Sequence, residues 1–332
     1  MQRGALMNTI VKLSPEQRSE LFRETAARKG ITNAIAEKDF WVTWVLSKIF
    51  SDPHLSTLMI FKGGTSLSKA FHLIERFSED IDLILDWRTV IDTDPRAPKT
   101  KTAQDKLNKE INAKAVSYIQ KELLPKIASL ITPFCTCIAD EKDGLIINVR
   151  YPSSFDDPYL RPEILLEIGP LASWLPYGEY TIQSFASEEF PALFTNPICN
   201  VKSIVAERTF WEKATILHQE ANRPLDKAML PRYSRHYYDL AMMAQSHVKE
   251  VALRDLDLLD TVVAFKQQFY PSAWVNYESA KAGSIKLVPP SKRITELSKD
   301  YDAMRSMIFG SYPSLDEIIA VLQSLEAEIN QQ

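Results

Sequence analysis

The stretch "LMIFKGGTSLSKAFHLIERFSEDIDLIL", residues 58–85, constrains the fold of this chain more than any other part of the sequence. It begins with a short apolar run that ends at Gly63 and Gly64, which predicts a strand followed by a tight turn. The residues from 65 to 76 predict a helix, and the alternation over 80–85 predicts a second strand. The order strand, turn, helix and strand indicates an α/β unit that contains a sheet.

The second strand of this unit carries two carboxylates on one face. Asp80 and Asp82 are two residues apart and therefore point to the same side of the strand, whereas Ile81, Leu83 and Leu85 point to the other side. Two such carboxylates lie roughly 6.6 Å apart along a strand. At an effective dielectric constant of about 20 they repel each other by about 2.5 kcal/mol. A divalent cation is a natural candidate to offset this repulsion.

The glycine turn before the helix has the features of an anion site. Gly63 and Gly64 allow the backbone to approach a ligand closely, and the N–H groups at the start of a helix favour an anion. Thr65 and Ser66 add hydroxyl groups. The sequence lacks the G-x-x-x-x-G-K-[ST] pattern of a Walker A loop. A turn that holds phosphates, followed by D-x-D, predicts a nucleotide–metal unit; the alternative is a solvated edge strand with its acids in water.

Composition excludes a few functional classes. The chain has 332 residues, of which 45% are hydrophobic and 25% charged, and a formal net charge of −4. Since the whole chain is not basic, any nucleic-acid surface must be a local patch. Two segments, 223–235 and 281–293, are rich in lysine and arginine. Of the three cysteines, Cys135 and Cys137 alternate with Thr136 on one predicted strand face, and no histidine lies nearby, so we expect reduced thiols rather than a zinc site.

The pattern along the chain divides into two parts. Strand and helix patterns alternate up to about residue 195, and helical patterns dominate after it. We therefore expect an α+β fold with two lobes: a nucleotide-binding lobe over 1–195, in which helices flank a mixed sheet, and a helical lobe over 196–332 that closes a cleft. No apolar run reaches membrane-spanning length and the first 13 residues lack a signal-peptide core, so we expect a cytoplasmic protein without membrane contact.

Other elements follow from caps and periodicity. Ser14 and Gln17 form the pattern of a capping box. Further helices are expected over 33–50 and 107–130, and a mobile loop over 87–106. The chain also predicts a hairpin that turns at 142–144 and a strand over 162–169. In the second lobe, the predicted helices span 201–219, 234–246, 251–269, 291–307 and 314–329.

The motif "KGGTSLSKAF…RFSEDIDL" resembles the AbiEii/AbiGii nucleotidyltransferase toxins. These are relatives of the MenA-like toxins within the DNA polymerase β-type nucleotidyltransferase superfamily. The segment "EKDFWVTWVL", residues 37–46, is also similar to the N-terminal pattern of the family. Here Gly-Thr stands where the wider superfamily often has Gly-Ser, and Thr65 keeps the hydroxyl.

The resemblance implies a set of site residues. It implies that Asp80, Asp82 and a third acid hold the metal; in "PEILLEIG" this acid is Glu167, with Glu163 as the competitor. It implies a phosphate-binding role for Lys213, and it places Asp239 in the cleft, where Asp239 orients Lys213 or the nucleotide. It further implies that nucleotide binding involves the turn and one later serine: Lys62, Gly63, Gly64, Thr65, Ser66 and Ser78.

Several of these residues also have a simpler interpretation. Lys213 can cover an apolar helix stripe with its stem while its charge reaches water. Asp239 can form a helical ion pair with Arg235, four residues earlier. Arg76 is equally consistent with a surface charge. Ser78, two residues before Asp80, could be phosphorylated, which would repel the acids and occupy the nucleotide site.

The resemblance also implies a reaction, a partner and a biological role. The activity would be transfer of a nucleotide from an NTP, with Mg²⁺ or Mn²⁺, to an RNA acceptor such as the tRNA 3′ end. The chain would be the toxin of a toxin–antitoxin pair, its antitoxin a separate winged-helix protein, and its role abortive infection in phage defence. The alternatives are nucleotidyl or phosphoryl transfer to a protein hydroxyl, and a non-catalytic nucleotide-binding module. A monomer is the simplest expectation.

Overall fold

The sheet that the D-x-D motif predicts is present in the computed structural model, which describes residues 8–97 and 99–332. The first seven residues, on which the signal-peptide expectation partly rests, and Pro98 lie outside this description. Over the described ranges, seven strands form one mixed sheet in the order β3-β4-β5-β2-β1-β7-β6. The strands are β1 (Met59–Lys62), β2 (Ile81–Leu85), β3 (Thr136–Ala139), β4 (Ile146–Arg150), β5 (Glu163–Gly169), β6 (Tyr177–Gln183) and β7 (Ile198–Ile204).

The sheet is mixed because two of its neighbour pairs are parallel. β2 runs parallel to β5, and β1 runs parallel to β7. The other adjacent pairs are antiparallel. The hairpin predicted to turn at 142–144 is confirmed as the β3–β4 pair, and the strand predicted over 162–169 is confirmed as β5.

The chain divides into two compact units. Unit 1 comprises the residues up to Ala70 and Phe77–Ile204, and unit 2 comprises Phe71–Arg76 and Val205–Gln332. Unit 1 holds the whole sheet and eight α-helices of the described residues, with a short π-helical turn (Ile119–Leu123) between the sixth and the seventh. They are α1 (Asn8–Val11), α2 (Pro15–Lys29), α3 (Asn33–Ser51), α4 (Leu55–Leu58), α5 (Gly63–Lys69), α6 (Lys101–Tyr118), α7 (Leu124–Ile131) and α8 (Phe185–Glu189).

The core of unit 1 lies between one face of the sheet and α3. Trp41 and Trp44 of α3 are buried in the same cluster as Ile81, Leu83 and Leu85 of β2. The opposite face of the sheet carries a smaller cluster. The first helices are bounded as the sequence predicts, since Ser14 caps α2 through a capping box with Gln17. Apolar alternation thus places β2 with one face towards the main core.

Unit 2 is helical apart from its turns. Six α-helices of the described residues pack against one another, and the last of them begins at a second capping box formed by Ser314 and Glu317. They are α9 (Ala206–Ala221), α10 (Ser234–Ala244), α11 (His247–Arg254), α12 (Leu256–Phe269), α13 (Ile294–Ala303) and α14 (Leu315–Asn330). The segment 71–76, between α5 and β2 in sequence, also belongs to this unit.

Four expectations about the elements are wrong. The single helix predicted over 251–269 is divided at Asp255, which ends α11 and caps the start of α12. The helix predicted over 65–76 ends at Lys69, because the chain then enters the segment 71–76 of unit 2 and His72 adopts a left-handed conformation with φ 52°. The helix predicted from 201 starts at Ala206, because 198–204 forms β7. The loop predicted over 87–106 ends earlier, since α6 starts at Lys101 with Thr100 as its N-cap.

The boundary between the units differs from the predicted position at residue 195. Because β7 pairs with both β1 and β6, the chain leaves unit 1 only after Ile204. Among the helices that the structure describes, none is both long enough and apolar enough to cross a membrane.

Candidate active site

The two aspartates lie at the beginning of β2 on the face away from the main core. Asp82 is inside the strand, and Asp80 directly precedes its first residue. Ile84, two residues beyond Asp82, belongs to the smaller cluster with Ile60 and Ile204, so this face is separate from the main core. Both aspartates are half-buried. The alternation predicted for this strand is therefore confirmed.

A row of three side chains crosses three neighbouring strands. Asp82 is directly opposite Lys62 of β1 and directly opposite Glu167 of β5. Side chains at opposed positions in a sheet point to the same face, with Cβ atoms about 5 Å apart. The structure thus brings Glu167, Asp82 and Lys62 together in one row, and both carboxylates are half-buried.

The glycine turn fits closely against Asp82. Gly63 has φ +82°, and a Cβ placed on it would lie 1.9 Å from Asp82 Oδ2. A backbone with positive φ favours glycine, and the contact excludes any larger residue. The turn therefore needs Gly63 because the Asp82 carboxylate occupies the space of a side chain. This approach joins the glycine motif and the D-x-D motif in one small region.

The hydroxyls after the turn bind the backbone of the same region. Thr65 Oγ1 donates to the carbonyl oxygens of Asp80 and Ser78, at 2.5 and 3.2 Å. Ser66 Oγ donates to the Gly63 carbonyl at 2.8 Å. The Thr65 hydroxyl has a single hydrogen, which the two carbonyl oxygens share. In this arrangement both hydroxyls hold the segment 78–80 and the turn in place, and Ser78 is half-buried.

The two candidate acids of β5 differ in their surroundings. Glu163 lies opposite Arg150 of β4, and Arg150 Nε donates to its carboxylate at 2.7 Å. This pair is exposed on the arginine side, so it is an ordinary surface ion pair. Glu167 lies opposite Asp82 instead. The geometry places Glu167, and not Glu163, beside the D-x-D motif.

The carboxylates of this face suit a metal–nucleotide complex. Over the described ranges, no group of three His, Cys, Asp or Glu side chains is gathered closely enough to hold a metal ion by itself. Mg²⁺ usually binds through one or two carboxylates together with the phosphates of its substrate. The hard oxygens of Asp80, Asp82 and Glu167, with a glycine backbone against Asp82, fit that mode of binding.

Lys213 and Asp239 form a buried cluster within unit 2. Lys213 Nζ on α9 donates to Asp239 Oδ2 on α10 at 2.8 Å and lies 3.0 Å from His236 Nδ1. Arg76 makes two parallel hydrogen bonds to the same carboxylate, from Nε at 2.6 Å and a terminal nitrogen at 2.8 Å. The exposed fractions are 0% for Asp239, 6% for Lys213 and 4% for Arg76.

The charges of this cluster follow from burial and from one another. Burial raises the pKa of Asp239, but the Arg76 and Lys213 charges outweigh it and hold this pKa well below its usual range. Burial, followed by the charge of Lys213, lowers the pKa of His236 well below the usual histidine value. His236 is therefore neutral and accepts a hydrogen bond from Lys213 through Nδ1. Burial lowers the pKa of the Lys213 ammonium below its usual value, and the charge of Asp239 opposes this shift.

Sequence reasoning missed two members of this cluster. Arg76 is not a surface charge, because it is buried and forms a bidentate pair with Asp239. His236 showed no pattern beyond its position three residues before Asp239. The pairing of Arg76 with Asp239 spans 163 positions in sequence. No local periodicity encodes such a contact, so only alignment of homologues could have pointed to it.

The two basic segments of unit 2 contain both exposed and structural cations. Arg293 is buried and donates to the carbonyl oxygens of Pro224 and Lys227 at 2.7 and 2.6 Å. Arg223 makes two hydrogen bonds of 2.7 Å to Glu220. These two arginines hold the local fold. The cations that remain exposed in these segments are Lys227, Lys281, Lys286 and Lys292.

Comparison with known proteins places this site in a family context. The profile of a family described as "Nucleotidyl transferase AbiEii toxin, Type IV TA system" matches residues 44–321. A solved structure of MenT4, a nucleotidyltransferase toxin from Mycobacterium tuberculosis H37Rv, is 15% identical with a TM-score of 0.45, over 94% of this chain and 97% of that one. A protein from H. pylori assigned as a nucleotidyltransferase is 16% identical with a TM-score of 0.45, over 89% and 95%. No curated protein matches the sequence.

Proposed function

Since the chain belongs to the AbiEii family of nucleotidyltransferase toxins from type IV toxin–antitoxin systems, we propose that it transfers a nucleoside monophosphate from an NTP to RNA in a metal-dependent reaction. The proposed acceptor is the 3′ end of tRNA, whose modification would block translation. The family implies an NTP substrate and an antitoxin partner. We propose that the antitoxin is a separate winged-helix protein and that the biological role is phage defence by abortive infection.

One observation carries the proposal. Asp82 lies between Glu167 on one neighbouring strand and the Gly63 turn, where only a hydrogen atom fits against its carboxylate. The acids can bind a divalent cation, and the backbone N–H groups of the turn can bind an anion. Together they suit the phosphates of a nucleotide and their counter-ion. A solvated edge strand would need neither the glycine nor the neighbouring acid.

The proposed roles of the acids follow from their row on the sheet. Asp80, Asp82 and Glu167 would hold Mg²⁺ or Mn²⁺. When bound, the metal would neutralise triphosphate charge and lower the pKa of the acceptor hydroxyl. The chain's part is to fix the carboxylates on adjacent strands, so that little reorganisation is needed in the reaction. The acceptor oxygen then attacks the α-phosphate in line, and pyrophosphate leaves.

The proposed phosphate contacts come from the turn and from Lys213. The backbone N–H groups over 63–66 would contact the triphosphate, with Lys62 nearby in the row that includes Asp82. An ammonium carries three N–H donors. Asp239 and His236 account for two donors of Lys213, which leaves one for a phosphate oxygen.

The proposed RNA contacts are the exposed lysines of unit 2. Lys227, Lys281, Lys286 and Lys292 are exposed on two segments that are otherwise poor in acids. Contacts between lysines and RNA phosphates position a nucleic acid without reading its sequence. Arg223 and Arg293 are excluded from this role, since both are engaged in the fold.

The test is a labelling reaction with the four α-labelled NTPs, total RNA and Mg²⁺. We expect label on RNA with the wild type and a loss of about a thousandfold with Asp82→Asn, the scale seen when a preorganised charge contact at a reacting centre is lost. Glu163→Gln is the matched control, because Glu163 lies on the same strand as Glu167 but pairs with Arg150. It should keep almost full activity.

Other outcomes would change the proposal. Equal labelling of RNA by the wild type and Asp82→Asn would contradict the assigned acids. Label on protein instead of RNA would favour transfer to a protein hydroxyl. Binding of NTP without any labelled macromolecule would indicate a nucleotide-binding module.

A further inference from the structure

Helix α3 buries three consecutive charged side chains, which the reaction described above does not use. Glu37, Lys38 and Asp39 are each 0% exposed. Buried charges are tolerated when they are paired and hydrogen-bonded. Three in succession on a helix point in different directions, so α3 is able to contact three separate segments of unit 1.

Lys38 closes a small network with Glu79 and the backbone of Arg161. Lys38 Nζ donates to Glu79 Oε2 at 2.7 Å and to the Arg161 carbonyl oxygen at 2.8 Å. The Arg161 N–H donates to the same Glu79 oxygen at 3.0 Å. The Lys38 and Glu79 side chains are 0% and 2% exposed. Each of the three groups is therefore held by the other two, and the two charged side chains are buried.

The network joins the starts of the two strands that carry the acids. Glu79 directly precedes Asp80, and Arg161 lies two residues before the first residue of β5. β2 and β5 are parallel neighbours, with Asp82 opposite Glu167. Because these strands are parallel, both begin at the same edge of the sheet. Lys38 thus holds together the two segments that lead into β2 and β5.

A second buried pair on α3 offers an internal comparison. Asp39 pairs with Lys69 at the end of α5, and Asp39 Oδ2 accepts from the Phe185 N–H at 2.6 Å. The Lys69 and Asp39 side chains are 4% and 0% exposed. This pair connects α3 to α5 and α8, and not to the start of β5. It matches the Lys38–Glu79 pair in chemistry and burial while contacting different segments.

We propose that Lys38 and Glu79 are positioning residues that set the spacing of Asp80, Asp82 and Glu167 for a divalent cation. This inference rests on the proposed function, since it assumes a metal at the acid face. The Lys38 ammonium touches none of the reacting groups. It acts through Glu79 and Arg161, whose backbones lead directly into β2 and β5. Residues that orient metal ligands typically change metal affinity by about 10–100-fold when they are replaced.

The test compares two double variants, each of which removes a whole buried pair so that no uncompensated charge is left. The first is Lys38→Met with Glu79→Gln, and the second is Asp39→Asn with Lys69→Met. Free Mn²⁺ is measured by electron paramagnetic resonance, with a non-hydrolysable NTP analogue present, and thermal unfolding is recorded in parallel. We expect Mn²⁺ binding to weaken about 10–100-fold in the first variant and by less than about threefold in the second, with similar unfolding temperatures.

The outcomes separate this inference from the proposed function. Unchanged Mn²⁺ affinity in the Lys38/Glu79 variant, or equal weakening in both double variants, would overturn the positioning role while the proposed reaction stands. A wild type that binds no Mn²⁺ would overturn both. A wild type that binds Mn²⁺ but labels no RNA, together with selective weakening in the first variant, would overturn the RNA transfer and support the positioning role.

Discussion

The acid face of unit 1 and the buried cluster of unit 2 hold charged residues in opposite ways. Asp82 and Glu167 lie side by side on a sheet face and are half-buried. Asp239 is fully buried and receives hydrogen bonds from Arg76 and Lys213. The first region places two carboxylates side by side, with Lys62 opposite Asp82 on the next strand, and the second surrounds one carboxylate with two cations.

This difference in charge and burial indicates a different role for each region. Like charges at an exposed face keep a repulsion of about 2–3 kcal/mol at an effective dielectric of about 20, which a cation from solution can relieve. Burying a charge is tolerated only when its partners are already in place. The acid face is therefore suited to a ligand, and the cluster is primarily part of the fold, with Lys213 as its one candidate for contact with an anion.

The largest expected effect tests the structural character of the cluster. Asp239→Asn should lower the free energy of unfolding by about 3–5 kcal/mol, because Arg76 and Lys213 would be left buried without a counter-charge. Urea denaturation measures this change. Asp94 and Arg96 form an equivalent bidentate pair at the surface, with side chains 44% and 60% exposed.

The surface pair provides the control for this prediction. Asp94→Asn should cost only about 0.2–1 kcal/mol, because an exposed pair contributes little. A loss of less than 1 kcal/mol in Asp239→Asn would contradict the view that the cluster is part of the fold. It would instead group Asp239 with the acids of the sheet face.

A smaller effect tests the close fit at the acid face. Gly63→Ala should destabilise the protein by about 2–3 kcal/mol through its positive φ and its clash with Asp82, and it should abolish RNA labelling. Gly30 has a similar φ of +67° but no atom within 4 Å of an added Cβ. Gly30→Ala should therefore cost only about 1–2 kcal/mol and leave labelling intact. Equal activity in the two variants would show that Asp82 does not need the space at Gly63.

The smallest expected effect is the dependence of protein stability on pH through His236 of the buried cluster. His236 has a folded-state pKa below its unfolded value, because burial and Lys213 disfavour its charged form. The unfolded chain takes up a proton below about pH 6.5 while the folded one does not, so stability should fall as the pH drops. His236 should contribute at most about 1.4 kcal/mol per pH unit to the slope, and His218, whose pKa is also lowered by burial, should add to it.

Denaturation curves between pH 7.5 and 5.5 measure this slope. His236→Gln should reduce the slope without abolishing it, since glutamine can accept the Lys213 hydrogen bond without titrating in this range and His218 is still present. His54→Gln, a change at an exposed histidine, should leave the slope as it is in the wild type. A slope that is unchanged in His236→Gln would mean that His236 does not contribute to it.

Much of unit 1 near the site follows from local rules. The apolar alternation of "DIDLIL" predicts β2 with its acids on one face, and the glycine pair predicts the turn before α5. The capping box at Ser14 sets the start of α2. These features depend on residues within a few positions of one another, where side-chain direction and turn chemistry act directly.

Other features escaped prediction because their causes lie far along the chain. The helix predicted up to residue 76 ends at Lys69, since the segment that includes Arg76 packs in unit 2. β6 and β7 were missed because β7 becomes a strand by pairing with β1 and β6, and its own pattern resembles a helix start. The burial of Glu37, Lys38 and Asp39 was equally hidden, since local patterning treats charged residues as exposed.

The sequence by itself determined the D-x-D strand, the glycine turn, the helical second part and, through the AbiEii resemblance, the family. Only the tertiary structure decided which acid of β5 lies beside Asp82, which partners Asp239 has, and what Lys38 holds together. The physical reason is that alternation and turn chemistry act between near neighbours in sequence. Strand register and buried ion pairs depend instead on contacts that form only after distant segments meet.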